Sequence, residues 1–198
     1  MMTGSPMREI MLHHIRDIEA STVLKDMDLK PQGYFLVSAH RQENVDVPAR
    51  LQELLASLKA IHEEWKLPVL VSTHPRTRKK LELLPGYAEI PGVIFHEPFG
   101  FLAYNKLQMN AKAVISDSGT IAEESTILGF PAITIRDSIE RPEAIDVGAI
   151  VMTGLKADEV IGGLHEVIAN PPKADRVLPQ GYEVTNFSER VVRFIMST

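Results

Sequence analysis

The sequence contains no cysteine among its 198 residues. That absence excludes disulfide bonds, thiol nucleophiles and cysteine-ligated zinc sites. It also contains no apolar run near the ~20 residues that a membrane-spanning helix needs. The opening stretch, MMTGSPMREIMLHHIRD, carries charges throughout and lacks the apolar core of a signal peptide. We therefore expect a cytoplasmic protein with no membrane partner.

Positive charge is also scarce, because 21 Lys and Arg face 26 Asp and Glu and the formal net charge is −5. A nucleic-acid-binding surface needs a basic patch, so we expect no nucleic-acid partner. The one basic run, PRTRKK at 75–80, is short. The sequence also lacks G-x-G-x-x-G, the P-loop pattern and a metal-ligand spacing, so neither a cofactor nor a metal is expected.

Short apolar runs alternate with helical patterns along most of the chain. The runs predict strands at 34–39, 68–73, 92–96, 113–116, 132–136 and 149–153. The intervening patterns predict helices at 47–65, 101–111 and 156–169, with a further helix opening at Ser118. Apolar strands that are each followed by a helix are typical of a parallel sheet covered on both faces. We expect an α/β, Rossmann-like, doubly wound sheet of about six strands.

The two ends of the chain do not follow this alternation. Residues 1–30 look helical, with no strand ahead of them, and residues 31–172 hold the predicted sheet domain. Residues 173–198 predict an extended, proline-punctuated connection and a C-terminal helix with Thr185 or Asn186 as its N-cap. Such end segments often pack on a neighbouring domain.

In a doubly wound sheet, ligands bind beyond the carboxyl ends of the strands, so the residues after each strand are the candidates. His40 and Arg41 follow the first strand and could hold a diphosphate or donate a proton; they could also form a polar loop with a buried histidine. His74 follows the second, where Pro75 could start a helix with an anion at its N-terminus or only a solvated basic face.

Two aromatic residues follow the third strand and a hydroxyl–glycine pair follows the fourth. Phe101 and Tyr104 could stack on a base, although aromatic side chains are more often core. Ser118 and Gly119 would open a helix whose N–H groups favour an anion, and Glu124 could accept hydrogen bonds from a ribose diol. The alternative is an ordinary helix cap. After the fifth strand, RDSIERPEAIDVG is too densely charged for a solvated face alone.

Four of these motifs occur in one order: SAHRQENVD, THPR, DSGTIAEES and RDSIERPEAIDVG. Together they resemble the non-hydrolysing UDP-N-acetylglucosamine 2-epimerase family, from about Gly4 to the C-terminus. PFGFLAYNKLQM resembles a branch of that family that acts on modified UDP-HexNAc sugars for capsule and O-antigen synthesis, except that the branch usually has Asp at the position of Ala103. The family fold is GT-B, two Rossmann-like halves, and this chain is similar to the second half, with residues 1–30 resembling the crossover.

The resemblance implies a role for each matching residue. It implies that Ser118 and Gly119 bind the diphosphate of UDP, that Glu124 holds the ribose hydroxyls, and that Tyr104 and Phe101 lie near uracil. His40 would be the chemical group of this half, beside the leaving diphosphate. The remaining implied contacts are Arg141 with the diphosphate or sugar, and Arg41 with His74 at a second, allosteric UDP-GlcNAc.

The implied reaction is inversion at C2 of UDP-GlcNAc or a related UDP-HexNAc, by elimination and re-addition of UDP. The family's acid and base carboxylates belong to the other half, so we expect these 198 residues to bind UDP weakly and not to epimerise. We expect a homodimer for the complete protein. Three alternatives stay open: the nucleotide-binding half of a GT-B glycosyltransferase, a hydrolysing epimerase, and a non-catalytic UDP-sugar-binding module.

Overall fold

The computed structural model describes residues 3–138, 143–173 and 177–197. Its centre is one sheet of six strands, and every pairing in it is parallel. The strand order is β3-β2-β1-β4-β5-β6. The strands, each within two residues of its predicted bounds, are β1 (Phe35–Ser38), β2 (Val69–Ser72), β3 (Val93–His96), β4 (Ala113–Ser116), β5 (Ala132–Ile135) and β6 (Val151–Thr153).

Ten α-helices lie within the described residues. In chain order they are α1 (Met7–Ala20), α2 (Val23–Asp26), α3 (Gln42–Val45), α4 (Pro48–Trp65), α5 (Pro75–Leu81), α6 (Phe101–Asn110), α7 (Ile121–Leu128), α8 (Glu143–Asp146), α9 (Ala157–Ala169) and α10 (Phe187–Met196). The predicted Rossmann-like, doubly wound α/β fold is therefore confirmed. In the part of the chain that the structure describes, no helix combines the length and apolar character needed to cross a membrane.

Alternation along the strands builds two apolar layers, one on each face of the sheet. Phe35 and Val37 of β1 join one layer, with α4 and α9, while Tyr34 and Leu36 join the other, with α6 and α7. Each residue is fully buried, because a central strand has a helix layer on both sides. Burying one such apolar side chain stabilises the fold by about 1.5–3 kcal/mol.

Helix α4 shows why the local sequence folds as predicted. Pro48 lies in its first turn, where a missing N–H costs nothing, and Lys66 ends it in the left-handed conformation with φ of 55°. The predicted apolar stripe faces the sheet through Leu54, Leu58 and other buried residues. Trp65, the last residue of α4, has its ring centroid 4.9 Å from that of Phe35 on β1 and 4.9 Å from that of His165 on α9.

The strand order reverses between β1 and β4. From β1 the chain moves outward to β2 and β3, then returns to place β4 on the other side of β1. The loops after β1 and β4 therefore leave the sheet in opposite directions and open a crevice between them. Ser38 and Ser116 are paired at the ends of these two strands, so the following residues of both loops come together.

One predicted boundary is wrong: the helix after β4 begins at Ile121 and not at Ser118. The Ser118 hydroxyl accepts a hydrogen bond from the backbone N–H of Thr120 at 3.3 Å and pairs with the Thr120 hydroxyl at 2.9 Å. This local serine turn competes with the helix for the same backbone groups. Ser118 and Gly119 consequently form a turn before the helix.

The two ends of the chain lie against each other. The backbone N–H of Ser5 donates to the carbonyl of Gly181 at 2.9 Å, and that of Ser188 donates to the Glu9 carboxylate at 2.8 Å. The C-terminal helix follows Asn186, as predicted, but that residue makes no side-chain capping bond. The assignment of residues 1–30 to a crossover and 173–198 to a separate segment stays a prediction.

Candidate functional site

The carboxylate of Asp117 organises the crevice between β1 and β4. Asp117 follows β4 directly and is fully buried. It accepts hydrogen bonds from the backbone N–H of His40 at 3.0 Å and from that of Arg41 at 2.8 Å. His40 Nδ1 lies 3.2 Å from the other carboxylate oxygen. A single buried anion therefore fixes the backbone and the imidazole of the loop after β1.

Asn44 extends this arrangement to a third strand. Its side chain is fully buried and donates to Asp117 and to the backbone carbonyl of Ile135 on β5, both at 3.1 Å. Its own oxygen accepts a hydrogen bond from Arg50 of α4 at 3.0 Å. The loop after β1 is thus joined to the ends of β4 and β5 by side-chain hydrogen bonds.

The charges of His40 and Asp117 stabilise each other. The hydrogen bond with Asp117 raises the pKa of His40 above its ordinary value of 6.5, against a smaller lowering by burial. Burial acts to raise the pKa of Asp117, but the hydrogen bonds from His40, Arg41 and Asn44 together lower it below 3.8. The His40 side chain remains 43% exposed, so the predicted alternative of a buried histidine is wrong, and its imidazolium can meet a ligand.

Two arginines lie beside the Ser118–Gly119 turn. Arg41 Nη2 lies 3.4 Å from the position that a Cβ atom would take on Gly119, and Arg136 Nη1 lies 4.0 Å from it. Arg41 is held there because its Nε donates to the backbone carbonyl of Asp117 at 3.1 Å. Arg136 directly follows β5 and is only 5% exposed. The turn therefore combines two guanidinium groups with the start of α7, a combination that favours an anion.

His74 joins the same edge of the sheet from the loop after β2. Its Nδ1 accepts a hydrogen bond from the backbone N–H of Arg76 at 3.2 Å and so caps α5, which begins at Pro75 as predicted. The His74 and His40 rings are 6.0 Å apart between centroids. The sequence did not predict the capping role, although a side chain directly before Pro75 is at the position where helix caps occur.

The two aromatic candidates on α6 have different surroundings. Phe101 is 45% exposed at the first position of the helix and has an edge-to-face contact with His14 of α1. Tyr104, one turn later, lies close to Ser38 at the end of β1. Burial, and then the Glu124 carboxylate, raise the pKa of the Tyr104 phenol, which therefore stays protonated.

Glu124 faces α6 from the first turn of α7. One of its carboxylate oxygens accepts a hydrogen bond at 2.6 Å from the side-chain amide of Gln108, a fully buried residue of α6. Glu124 itself is half-buried. Tyr104 precedes Gln108 by four residues, so both lie on one face of α6. Glu124 is thereby bordered by an aromatic ring and a buried amide.

The structure brings most of the predicted residues to one edge of the sheet. His40, Arg41, Ser118 and Gly119 lie together, His74 joins them through His40, and Tyr104 lies between Ser38 and Glu124. Arg141 lies outside the described residues. Sequence reasoning gave no role to three further residues, namely Asn44, Gln108 and Asp117, and it considered Arg136 only as part of the charged run RDSIERPEAIDVG. Asp117 could have been singled out by its position directly after a strand; Gln108 had no such signal.

Comparisons with known proteins bear on what this edge binds. A family model described as UDP-N-acetylglucosamine 2-epimerase matches residues 1–196. The chain belongs to the UDP-N-acetylglucosamine 2-epimerase family. A UDP-N-acetylglucosamine 2-epimerase of Methanocaldococcus jannaschii is 36% identical over 140 residues, which are 69% of this chain and 38% of that protein. A Pseudomonas aeruginosa UDP-2,3-diacetamido-2,3-dideoxy-D-glucuronate 2-epimerase is 33% identical over 163 residues, 82% of this chain and 44% of that protein.

Solved structures of this epimerase family have the same fold. The enzyme from Rickettsia bellii matches 98% of this chain and 52% of its own with a TM-score of 0.88 and 37% identity. The M. jannaschii UDP-GlcNAc 2-epimerase in complex with UDP-GlcNAc and UDP matches 99% of this chain and 54% of its own, with a TM-score of 0.87 and 30% identity. A UDP-glucose: anthocyanidin 3-O-glucosyltransferase, a GT-B protein, shares the fold alone, at 15% identity and a TM-score of 0.52. The chain thus spans about half the length of the epimerase structures it matches.

Proposed function

We propose that this chain is the UDP-sugar-binding half of a UDP-N-acetylglucosamine 2-epimerase. The observation that carries the proposal is the buried Asp117 carboxylate, which holds His40 and Arg41 against the Ser118–Gly119 turn. The substrate would be UDP-GlcNAc or a related UDP-HexNAc. A diacetamido sugar is a specific candidate, because the P. aeruginosa relative is named for one.

In the proposed complex the diphosphate lies on the Ser118–Gly119 turn. The absence of a side chain at Gly119 lets a phosphate approach the backbone closely, and the Ser118 hydroxyl supplies a hydrogen bond. Arg41 and Arg136 neutralise the negative charge from the two sides of the turn. We propose the same role for Arg141, which follows the same strand.

The nucleoside would extend along α7 toward α6. Glu124 would accept the two ribose hydroxyls, because a carboxylate has several lone pairs available at once. Tyr104, with its ring beside this carboxylate, would contact the uracil, with Phe101 further out. An anion at the Ser118–Gly119 turn and a diol at the first turn of α7 fit the order of groups in a nucleoside diphosphate.

The proposed reaction removes the proton at C2 and breaks the bond from C1 to the diphosphate oxygen. UDP leaves with that electron pair and a 2-acetamidoglucal forms; a proton then returns to the opposite face of C2 and UDP adds back at C1. His40 would act on the departing diphosphate, since its raised pKa keeps an imidazolium available as a proton donor. The arginines would stabilise the charge that develops there.

None of the residues discussed above is positioned as the base for C2. The carbon acid at that position is weak, so elimination needs a placed general base. We therefore propose that the 198-residue chain binds UDP and does not turn over UDP-GlcNAc. Turnover by the purified chain would contradict this part of the proposal. The cytoplasmic location, the homodimer of the complete protein and the allosteric role of Arg41 and His74 stay predictions.

A calorimetric titration with UDP tests the binding site. Ser118→Ala and Glu124→Ala should each weaken binding by about 1–3 kcal/mol, the usual loss for a hydrogen bond that involves charge. Ser188→Ala is a matched control, because Ser188 lies on α10, far along the chain from the crevice. Unchanged UDP affinity in both site variants would mean that the nucleotide lies elsewhere.

The alternatives differ in what the complete protein does with a UDP-sugar. The glycosyltransferase alternative rests on fold alone, since the neighbour that supports it is only 15% identical. Incubation of the complete protein with UDP-GlcNAc separates the outcomes. UDP-ManNAc as product supports the proposal; free ManNAc indicates a hydrolysing epimerase, transfer to an added acceptor a glycosyltransferase, and no product a binding module.

A further inference from the structure

The hydrogen bond between Gln108 and Glu124 is short and joins a fully buried amide to a half-buried carboxylate. Gln108 is fully buried on α6, and its amide nitrogen lies 2.6 Å from a Glu124 oxygen. A carboxylate only accepts hydrogen bonds, so the Gln108 atom that faces it must be the NH₂ group. Glu124 is thereby held by a donor whose charge state does not change with pH.

Packing alone does not explain a glutamine at this position. The Gln108 carbonyl oxygen is buried and makes no hydrogen bond within the residues that the structure describes. A buried polar atom without a partner destabilises a fold, whereas an apolar residue of the same shape would fill the space without that cost. Residues that break such a rule are found preferentially at functional sites.

The surroundings connect this pair to the crevice. Tyr104, one turn before Gln108, lies near the Glu124 carboxylate and close to Ser38 at the end of β1. Ser38 pairs with Ser116, the residue before Asp117. The Glu124 carboxylate therefore has one oxygen bound by Gln108 on the α6 side, in a position reached from the crevice.

We infer that Gln108 is a positioning residue that fixes the Glu124 carboxylate for both hydroxyls of a ribose and so selects ribonucleotides over 2′-deoxyribonucleotides. This inference rests on the proposed function, because it takes Glu124 as the ribose contact. With one oxygen anchored, the carboxylate cannot rotate to follow a single hydroxyl. The entropy cost of ordering the Glu124 side chain is then met when the chain folds and not when the ligand binds. The diol therefore meets an acceptor that is already oriented.

The test compares UDP with 2′-deoxy-UDP by calorimetry on the 198-residue chain. Gln108→Met removes the donor and keeps an unbranched side chain of similar length. It should weaken UDP binding about five- to tenfold, because the released carboxylate must then be ordered when the ligand binds, and weaken 2′-deoxy-UDP binding less. The preference for UDP should therefore fall. Asn110→Ala is the control, since the Asn110 amide lies on the same helix and donates to the Lys106 carbonyl, at 2.8 Å, and not to Glu124.

The outcomes separate this inference from the proposed function. No UDP binding by the unsubstituted chain would overturn both. UDP binding that Glu124→Ala weakens and Gln108→Met leaves unchanged would overturn the inference alone. An equal loss for both nucleotides would also overturn it, because a merely structural role predicts no change in preference. If Gln108→Met does not fold, Gln108→Asn, which keeps an amide but shortens its reach by one methylene group, should lower the preference in the same way.

Discussion

Asp117 and the C-terminal helix α10 lie at opposite extremes of burial. Asp117 is fully buried, and its carboxylate is hydrogen-bonded from three residues of the loop after β1. In α10 no residue is buried, and Phe194, Ile195 and Met196 are 46%, 63% and 81% exposed. A charged group is thus fully satisfied inside the fold while large apolar groups stay in water.

The comparison shows that hydrogen bonds within this chain hold the residues that line the crevice between β1 and β4. The polar contacts of the loop after β1 are made within one sheet edge, whereas the apolar face of α10 has little to pack on. Burial of apolar area is the main source of stability, so α10 contributes little to it. The predictions below are arranged from the largest expected effect to the smallest.

Asp117→Ala should be the most damaging of these substitutions. It leaves the N–H groups of His40 and Arg41 and the Asn44 amide without their acceptor, so we expect a loss of about 3–5 kcal/mol in the free energy of unfolding. Urea denaturation measures it. Asp137→Ala removes an exposed carboxylate that pairs with Arg50 at 3.0 Å, and should cost less than about 1 kcal/mol. Equal losses for Asp117→Ala and Asp137→Ala would mean that the hydrogen bonds of the buried carboxylate add no more stability than an exposed ion pair.

Removal of α10 should change stability far less than a single core substitution. A chain that ends at Thr185 loses mainly the bond from Ser188 to Glu9, so we expect a loss below about 1 kcal/mol by urea denaturation. Leu58→Ala, at a residue 1% exposed in the centre of α4, should cost about 2–5 kcal/mol. A shortened chain as unstable as Leu58→Ala would show that α10 is an integral part of the fold.

UDP affinity should fall as pH rises through the pKa of His40 in the folded protein. That pKa is raised by Asp117, so the imidazolium that attracts a diphosphate is present below it and lost above it. We expect a change of about three- to tenfold in calorimetric titrations across the transition. The terminal phosphate of UDP also changes its protonation with pH. The His40→Asn variant lacks the imidazole and therefore measures that contribution alone. The same pH dependence in the variant would remove His40 from the diphosphate site.

The His40–Asp117 pair also makes the stability of the fold depend on pH. His40, with a raised pKa, adds stability that is complete below about 6.5 and lost as pH rises through its folded pKa. Asp117, with a lowered pKa, adds stability that is complete above about 3.8 and lost as pH falls through its folded pKa. The pair therefore stabilises most between about pH 3.8 and 6.5, and its contribution declines outside that range towards each folded pKa.

Gly119→Ala should leave stability almost unchanged and still weaken UDP binding. The added Cβ would lie 3.4 Å from Arg41, an ordinary contact with a flexible side chain, so we expect a change within about 0.5 kcal/mol in urea denaturation. Calorimetry should nevertheless show weaker UDP binding, because the methyl group occupies space beside the backbone. Unaltered affinity would place the phosphate away from this turn.

The predictable part of this fold was set by local patterns. Alternating apolar strands and the stripe of α4 depend on residues a few positions apart, so their bounds agree closely with the structure. The role of Asp117 depends on a partner 77 residues away, which becomes adjacent only because β1 and β4 pair. Gln108 meets Glu124 because α6 and α7 pack in the same layer on one face of the sheet. The misplaced start of α7 reflects a competing serine turn at Ser118, which local helix signals do not distinguish from a cap.

The single tryptophan of the chain gives it an optical reporter. Trp65 is in contact with Phe35 of the sheet and His165 of α9, on the face built from α4 and α9. Its fluorescence should therefore change when α9 detaches from α4 or when the chain unfolds, and should stay constant when UDP occupies the crevice. Unfolding can thus be followed by emission in the presence of nucleotide, without a label.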